Sequence, residues 1–155
     1  MERISHRDLP KGLMQSMLQV QNYIDNSGLD IKLLELIRMR VSQINSCAYC
    51  LDMHLKEGIA EGETPLRLIS VSAWRETPYY SLKEQAALEF AEILTRLPEE
   101  QHSDTIHDEL EKHFTKEEIA NLTLAIAQIN SWNRLTRSFG TVPGNYQAKH
   151  AVAAN

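Results

Sequence analysis

The apolar residues of this chain recur at intervals of three and four positions, and that spacing constrains the fold more than any other feature of the sequence. The first such series is Leu9, Leu13, Met17, Val20 and Ile24, and it stops near Asn26–Ser27–Gly28. Residues three and four apart share one face of an α-helix, whereas a half-buried strand needs strict alternation of apolar and polar residues. No window of strand length alternates in that way between turn residues. The sequence therefore predicts an all-α fold.

Helix-capping residues place the boundaries of the next two helices. Asp30 is a suitable N-cap for a second helix that runs to about Asn45. Ser46 can act as the N-cap of a third helix over about 47–61, which Gly62 would close. Both cysteines of the chain therefore fall at the start of a helix.

Similar signals predict the remaining helices. Thr64, followed by proline, begins a short helix that ends before Thr77, and capping boxes begin at Ser81 and Thr115. The later helices are expected over about 82–97, 103–113 and 119–139. The last of them carries apolar residues around much of its circumference, so we expect it at the centre of the bundle or between subunits. The tail, 140–155, has weak periodicity and is expected to be extended.

Length and charge bound the class of protein. A chain of 155 residues with 43% hydrophobic residues is expected to form one domain over 1–155. The formal net charge is −5 and no Lys or Arg block exceeds two residues, so neither a nucleic-acid surface nor a polybasic membrane surface is indicated. The N-terminus lacks the apolar segment of a secretory signal, and no apolar run approaches the ~20 residues that span a bilayer. We therefore expect a cytoplasmic protein with a small-molecule or protein partner.

The nonapeptide SCAYCLDMH, residues 46–54, holds both cysteines and a histidine. At about 100° per residue, Cys47, Cys50 and His54 would share one face of a helix across two turns. The pKa of a thiol falls at a helix N-terminus, beside an imidazole and within a Cys-X-X-Cys sequence, and this stretch provides all three effects. Since structural disulfides are rare in a reducing compartment, we expect a reactive or metal-binding pair.

A redox dithiol is the interpretation that this spacing favours. His54, one turn beyond Cys50, is placed to accept the proton of its thiol, as a base activates a nucleophile. A peroxide would oxidise Cys50 to a sulfenic acid, and Cys47 could condense with it to a disulfide that an external reductant reopens. Cys47 is nearer the helix N-terminus and feels the helix dipole more, so the residues alone leave open which sulfur attacks first.

Three alternatives use the same residues. Cys47, Cys50, His54 and one carboxylate would make four zinc ligands, in which case the protein is a zinc-stabilised or structural oligomeric module. Two buried thiols can also pack as small hydrophobic side chains without reacting. The same dithiol could serve a redox sensor or a general disulfide reductase, whose substrate is a protein.

Glu35, in the stretch IKLLELIRMR of the preceding helix, is a further candidate. Leucine and isoleucine surround it in sequence, and a buried carboxylate is costly unless it is partnered or functional. One interpretation is a surface ion pair with Arg38 at i,i+3. The other is a partly buried carboxylate that faces the dithiol and takes or returns a proton, with a pKa raised by desolvation.

Four of these residues stand at a recognisable spacing. They are Glu35, Cys47, Cys50 and His54, separated by eleven, two and three residues. This spacing resembles the core motif of the alkylhydroperoxidase AhpD-like family, which is grouped with the carboxymuconolactone decarboxylases. The match covers about residues 30–75, and INSWNRL at 129–135 is similar to a later helix of the family.

The resemblance implies an all-helical bundle that assembles into homo-oligomers, commonly trimers or hexamers, with the active site near a subunit interface. It implies a thiol-dependent peroxidase that reduces a small hydroperoxide and draws electrons from a thiol or dithiol reductant. We expect no metal or organic cofactor. Cys50 would match the cysteine that becomes a sulfenic acid, and Cys47 the partner that closes the disulfide. Glu35 and His54 would match the proton relay that activates them.

Tyr49 departs from the family pattern, since the best-known members have a histidine directly before the second cysteine. An unperturbed phenol titrates at about pH 10, so it does not shuttle protons near neutrality as an imidazole does. We expect Tyr49 to pack against a neighbouring helix instead. The two cysteines argue against the decarboxylase branch of the family, where some members lack the dithiol.

Overall fold

The computed structural model describes residues 2–98 and 104–148. Within this part of the chain there are seven α-helices and no β-strand, which confirms the predicted all-α fold. The helices are α1 (Leu13–Asp25), α2 (Ile31–Ile44), α3 (Ala48–Ala60), α4 (Pro65–Ser70), α5 (Leu82–Arg96), α6 (Asp104–Leu110) and α7 (Lys116–Phe139). Short 3₁₀ turns precede α1 at His6–Asp8 and follow α4 at Val71–Glu76.

Side-chain caps fix several helix starts where the sequence predicts them. The Asp30 carboxylate accepts a hydrogen bond from the backbone N–H of Lys32 at the start of α2. Ser81 and Thr115 form capping boxes with the glutamates three residues later, at the starts of α5 and α7. Each cap provides partners for backbone groups that a helix start otherwise leaves unpaired.

The start of α1 differs from the prediction because of Pro10. A residue before proline is pushed out of the helical region, and Leu9 has the extended angles φ −74° and ψ 137°. Gly12 then adopts φ 93°, which glycine tolerates because it has no Cβ, and α1 begins at Leu13. Leu9 therefore has helical spacing in the sequence but lies outside the helix.

The prediction that Ser46 caps α3 is wrong. Ser46 has φ 50°, in the left-handed region, and its backbone N–H donates to the carbonyl of Gln43 at the end of α2. It therefore belongs to the turn that ends α2. Cys47 is the N-cap of α3, and its Sγ accepts a hydrogen bond from the N–H of Cys50 at 3.4 Å. The first cysteine thus lies just before the helix, and the second lies in its first turn.

The helix expected after Thr64 divides into two elements. α4 ends at Ser70, and the 3₁₀ turn that follows contains Ala73 with the non-helical angles φ −126° and ψ 33°. Val71 and Trp74 of this turn are buried, and the turn packs against α2. The segment is therefore not one continuous helix, but some of its apolar residues are still buried.

The last two helices also shift relative to the sequence prediction. α7 begins at Lys116 rather than at Ile119, because its capping box starts at Thr115. Of the segment expected over 103–113, α6 occupies Asp104–Leu110, and residue 103 lies outside the described residues. Neither α7, the longest helix, nor any other helix in the described ranges is long and apolar enough to cross a bilayer.

The helix α2 packs against α3, α5 and α7 and is buried over 33–39, 41 and 42. The main core combines apolar residues of α2, α5 and α7. They include Leu34, Ile37, Val41, Phe90, Ile126 and Ile129. Burying a side chain of this size contributes about 1.5–3 kcal/mol. By contrast α7, expected at the centre of the bundle, buries one face and leaves Leu124 exposed. A place between subunits stays a prediction for that exposed face.

Residues 141–148 form neither helix nor strand and lie against α3. The Asp52 carboxylate accepts a hydrogen bond from the N–H of Gly144 at 2.9 Å. Lys56 Nζ donates to the carbonyl oxygens of Gly144 and Tyr146, at 3.1 Å each. These contacts hold 141–148 along α3, and 149–155 lie outside the described residues.

Candidate active site

Cys47 and Cys50 meet at the start of α3 and are joined as a disulfide. Their Cα atoms are 5.3 Å apart, and each residue is 1% exposed. The N–H of Cys50 points at Cys47 Sγ, so the positive end of the α3 dipole lies against that sulfur. The two cysteines of the CxxC sequence therefore form a buried disulfide at the N-terminal end of α3.

Thr136 of α7 contacts both sulfurs and is a site residue that the motif spacing does not reveal. Its Oγ1 lies 3.1 Å from Cys47 Sγ and 3.3 Å from Cys50 Sγ. The nearest signal in the sequence is the stretch INSWNRL at 129–135, which ends one residue before Thr136. Tertiary packing of α7 against α3, not local spacing, brings this hydroxyl to the dithiol.

His54 lies one turn after Cys50 on α3 and is bound by Glu35 of α2. The distance from His54 Nδ1 to Glu35 Oε2 is 2.8 Å, and both side chains are buried. An ionised carboxylate only accepts hydrogen bonds, so Nδ1 carries the proton and the neutral ring keeps its lone pair on Nε2. That Nε2 is buried and has no hydrogen-bond partner among the described residues. His54 therefore has an acceptor available for a further proton.

Glu35 binds Arg38 as well as His54. Its Oε1 accepts a hydrogen bond from Arg38 at 2.7 Å, while its Oε2 faces His54. Arg38 also pairs with Asp25 of α1, whose Oδ1 lies 2.6 Å from Arg38 Nη2. The predicted Glu35–Arg38 pair therefore forms, but the prediction of a surface location is wrong, since neither side chain is more than 4% exposed.

The pKa of Glu35 is lowered, so the expected rise is wrong. Burial pushes this pKa up, but the charges and hydrogen bonds of His54 and Arg38 outweigh burial and hold the pKa below its ordinary 4.5. Burial lowers the pKa of Arg38, but the carboxylates of Glu35 and Asp25 outweigh that effect and raise it. Glu35 is thus an ionised carboxylate that orients His54.

Cys50 and His54 both line a cavity of about 690 Å³ bounded by α1, α2, α3 and α7. Apolar side chains cover much of its wall. They include Leu9, Met14, Leu18, Met53, Trp132 and Phe139. Thr141 and Tyr146 of the tail complete it. The volume is within the range of small-molecule sites, and of the two cysteines Cys50 lies in the wall.

Tyr49 packs against the tail, whereas a neighbouring helix was the predicted contact. Its ring meets the ring of Tyr146 edge-on, with centroids 6.5 Å apart and planes at 83°. Burial raises the pKa of Tyr49, and the nearby Asp52 carboxylate raises it further. The Tyr146 hydroxyl donates a hydrogen bond to Glu57 of α3. Tyr49 therefore keeps its proton near neutrality and forms part of the cavity wall.

The zinc alternative has no ligand set in this site. In residues 2–98 and 104–148 no three His, Cys, Asp or Glu side chains are grouped as metal ligands. The two sulfurs are bonded to each other, and His54 Nδ1 is engaged by Glu35. In this disulfide state the two sulfurs are bonded to each other rather than free as zinc ligands, and His54 has only Nε2 left to offer.

The fold and the site together define a class: an all-helical protein with a CxxC disulfide beside a buried Glu–His pair and a cavity of small-molecule size. The chain belongs to the carboxymuconolactone decarboxylase family, whose sequence profile matches residues 11–92. This confirms the family that the spacing of Glu35, Cys47, Cys50 and His54 indicated.

Relatives resemble the chain along most of its length. The uncharacterized protein YdfG of Bacillus subtilis (strain 168) is 37% identical over 139 residues, or 90% of this chain and 95% of YdfG. A crystallised protein of unknown function from Agrobacterium tumefaciens, with a proposed role as the antioxidant defence protein AhpD, is 34% identical. Its TM-score is 0.88 over 94% of this chain and 100% of that chain. An uncharacterized peroxidase-related protein from Silicibacter sp. TM1040 shares the fold, at 22% identity and a TM-score of 0.76 over 89% of this chain and 72% of that chain.

Proposed function

We propose that the protein is a thiol-dependent peroxidase that reduces hydroperoxides through a dithiol/disulfide cycle of Cys47 and Cys50. The observation that carries the proposal is the unpartnered Nε2 of His54, which shares a cavity wall with Cys50 while its Nδ1 is held by Glu35. A base with one nitrogen oriented by a carboxylate and the other free is the arrangement that activates a nucleophile.

In the first half of the cycle, His54 Nε2 takes the proton of the reduced Cys50 thiol. The thiolate attacks the terminal oxygen of the hydroperoxide, the O–O bond breaks, and Cys50 becomes a sulfenic acid. The departing alkoxide takes the proton from His54 and leaves as an alcohol. One oxygen atom has then moved from the hydroperoxide to sulfur.

In the second half, Cys47 attacks the Cys50 sulfur and the S–O bond breaks. The hydroxide that leaves combines with the Cys47 proton to form water, and the disulfide closes. The hydroperoxide and two thiols have become an alcohol, water and a disulfide. An external dithiol then reopens the disulfide by exchange and is itself oxidised to a disulfide.

The charges around Glu35 support the role of His54 as a base. Arg38 keeps Glu35 ionised, and the ionised carboxylate keeps the proton on Nδ1 and the lone pair on Nε2. Arg38 and Glu35 therefore keep their charges throughout the cycle, while His54 takes up one proton and returns it.

The cavity supports an organic hydroperoxide as the substrate, because its apolar wall and its volume of about 690 Å³ suit an alkyl or aryl group. The proposed antioxidant role of the Agrobacterium tumefaciens protein points in the same direction. The proposal includes a cytoplasmic location, where a reducing environment keeps the dithiol ready for reaction.

The proposal is tested by hydroperoxide consumption with dithiothreitol as the reductant. Cys50→Ser is expected to abolish turnover, and His54→Ala to slow it by about a hundredfold or more, as loss of a general base does. The matched control is His113→Ala, since His113 pairs with Glu109 outside the cavity and its loss should leave the rate unchanged.

Full turnover by Cys50→Ser would rule out the peroxidase. A reaction of the wild-type protein that is faster with a protein disulfide than with cumene hydroperoxide would instead favour a general disulfide reductase. The same Cys47–Cys50 pair would carry out that reaction.

A further inference from the structure

The hydroxyl of Thr136 lies between both sulfurs of the site and the carbonyl groups of its own helix. Its Oγ1 is 3.1 Å from Cys47 Sγ and 3.3 Å from Cys50 Sγ. The same oxygen lies 2.9 Å from the carbonyl of Trp132 and 3.3 Å from that of Asn133. A hydroxyl has one proton to donate, so these four acceptors compete for it.

Which acceptor receives the hydroxyl proton depends on the redox state of the cysteines. A disulfide sulfur is neutral and a weak acceptor, so in the oxidised protein the hydroxyl donates to the Trp132 carbonyl, a common bond of threonine within a helix. A thiolate is a charged acceptor, and hydrogen bonds to charged groups are roughly twice as strong as neutral ones. When Trp132 loses the hydroxyl, its carbonyl keeps the backbone hydrogen bond of the helix.

Because the sulfurs are buried, a hydrogen-bond donor beside them has a large effect on the stability of a thiolate. Both cysteines are 1% exposed, and a buried charge is costly unless hydrogen bonds compensate for lost water. The backbone N–H of Cys50 reaches Cys47 Sγ at 3.4 Å. Within 2–98 and 104–148, the Thr136 hydroxyl is the side-chain group that contacts both sulfurs.

We infer that Thr136 is a catalytic residue whose hydroxyl donates a hydrogen bond to whichever sulfur carries the negative charge. The inference rests on the proposed dithiol cycle, but it does not depend on which oxidant the cycle consumes. The donor would stabilise the Cys50 thiolate before its attack. It would then stabilise the Cys47 thiolate each time the disulfide is reopened.

The reopening step shows why one donor shared by two sulfurs is useful. The thiolate of an external dithiol bonds to the Cys50 sulfur, the Cys47–Cys50 bond breaks, and Cys47 leaves as a thiolate. The second thiol of the reductant then resolves the mixed disulfide, and its proton is available to Cys47. A leaving thiolate of lower pKa departs faster. The hydroxyl that donates a hydrogen bond to the Cys50 thiolate before its attack therefore also assists the departure of the Cys47 thiolate.

The test is a thiolate titration of the fully reduced protein by absorbance at 240 nm, with no hydroperoxide present. Thr136→Val keeps the shape and removes the hydroxyl, and we expect it to raise the thiolate pKa by about one unit, which lowers the thiolate fraction roughly tenfold. Thr136→Ser keeps the hydroxyl and should titrate like the wild type. The matched control is Thr123→Val, because the Thr123 hydroxyl makes the same bond in α7, to Ile119, away from the sulfurs.

A second readout is the equilibrium between the protein disulfide and dithiothreitol over a pH series. Above the thiolate pKa, the equilibrium constant for reduction by dithiothreitol should be about tenfold smaller for Thr136→Val than for the wild type. In acid, where both thiols are protonated, the two proteins should have the same equilibrium constant. If Thr136→Val fails to fold, Thr136→Ala compared with Thr136→Ser isolates the hydroxyl in the same way.

An unchanged thiolate pKa in the variants that lack the hydroxyl would overturn the inference. So would a change of equal size in Thr123→Val. Because the titration uses no hydroperoxide, a protein that fails as a peroxidase can still show the shift. Normal hydroperoxide consumption together with an unchanged thiolate pKa in these variants would overturn only the inference about Thr136 and leave the proposed peroxidase function standing.

Discussion

Glu35 joins α2 to α3 by placing one carboxylate oxygen on Arg38 and the other on His54. Removing a carboxylate from a buried pair is costly, because it leaves a buried charge with too few partners. Without Glu35, the buried Arg38 would depend on Asp25, which is 31% exposed. One side chain therefore supports both the stability of the helix pair and the orientation of the proposed base.

We expect Glu35→Gln to lose about 3 kcal/mol of unfolding free energy at neutral pH, because it uncouples a buried ion pair. Urea unfolding followed by circular dichroism measures this difference. The matched control is Glu109→Gln, since Glu109 pairs with Lys112 and His113 on an exposed surface and its loss should be nearly silent. A loss at Glu35 no larger than at Glu109 would contradict the buried pair.

The pH dependence of that difference follows from the lowered pKa of Glu35. A carboxyl group whose pKa in the folded state lies below its unfolded value stabilises the fold above the unfolded pKa, which is ordinarily 4.5 for this group. That stabilisation is lost as the pH falls through the folded-state pKa. The advantage of the wild type over Glu35→Gln should therefore be constant above about pH 5 and shrink in acid, and an advantage that grows in acid would contradict the lowered pKa.

The sequence predicts the candidate residues but not their contacts. Glu35, Cys47, Cys50 and His54 are recognisable because two consecutive helices hold them at a fixed spacing. The expected rise in the pKa of Glu35 is wrong because, beside Arg38 of its own helix, Glu35 also binds His54, which reaches it only through the packing of α3 on α2. Thr136 comes from α7, 86 residues after Cys50, and no local pattern links the two.

At the scale of elements, the sequence predicts helix caps well, but it predicts less well which residue of a short turn between two helices adopts the left-handed conformation. Ser81 and Thr115 begin their helices as expected, because a capping box is a local interaction within four residues. Ser46 was assigned to the wrong role because a serine in the left-handed region closes α2 instead of capping α3. That one-residue shift makes Cys47 the N-cap, and its sulfur accepts a hydrogen bond from the first-turn N–H of Cys50.

Residues of α3 and of the tail both line the cavity, and Tyr146 of the tail contacts Tyr49 and Glu57 of α3. Tyr146→Ala removes the edge-on contact with Tyr49, and aromatic pairs of this kind contribute about 1 kcal/mol. We expect the KM for cumene hydroperoxide to rise about fivefold with little change in kcat. The matched control is Tyr79→Ala, whose ring packs on Tyr80 outside the cavity. An unchanged KM for Tyr146→Ala would show that the tail does not bind substrate.

At the scale of the whole molecule, large apolar side chains remain at the surface. Among the described residues, those more than half exposed are Tyr23, Leu66, Ile69, Leu82, Leu97 and Val142. Scattered apolar side chains are normal on a monomer, but they also supply the surface that a subunit interface buries. We predict a trimer or hexamer by light scattering at micromolar concentration, and a monomer under those conditions would contradict the proposed homo-oligomer.

A count of free thiols before and after one equivalent of a hydroperoxide tests the dithiol cycle most directly. The chain has two cysteines, so the reduced protein should give two thiols per chain before the addition and none after it. One alcohol should form per chain, and peptide mapping should find Cys47 linked to Cys50 within one chain. Retention of both thiols, or a disulfide that joins two chains, would contradict the cycle.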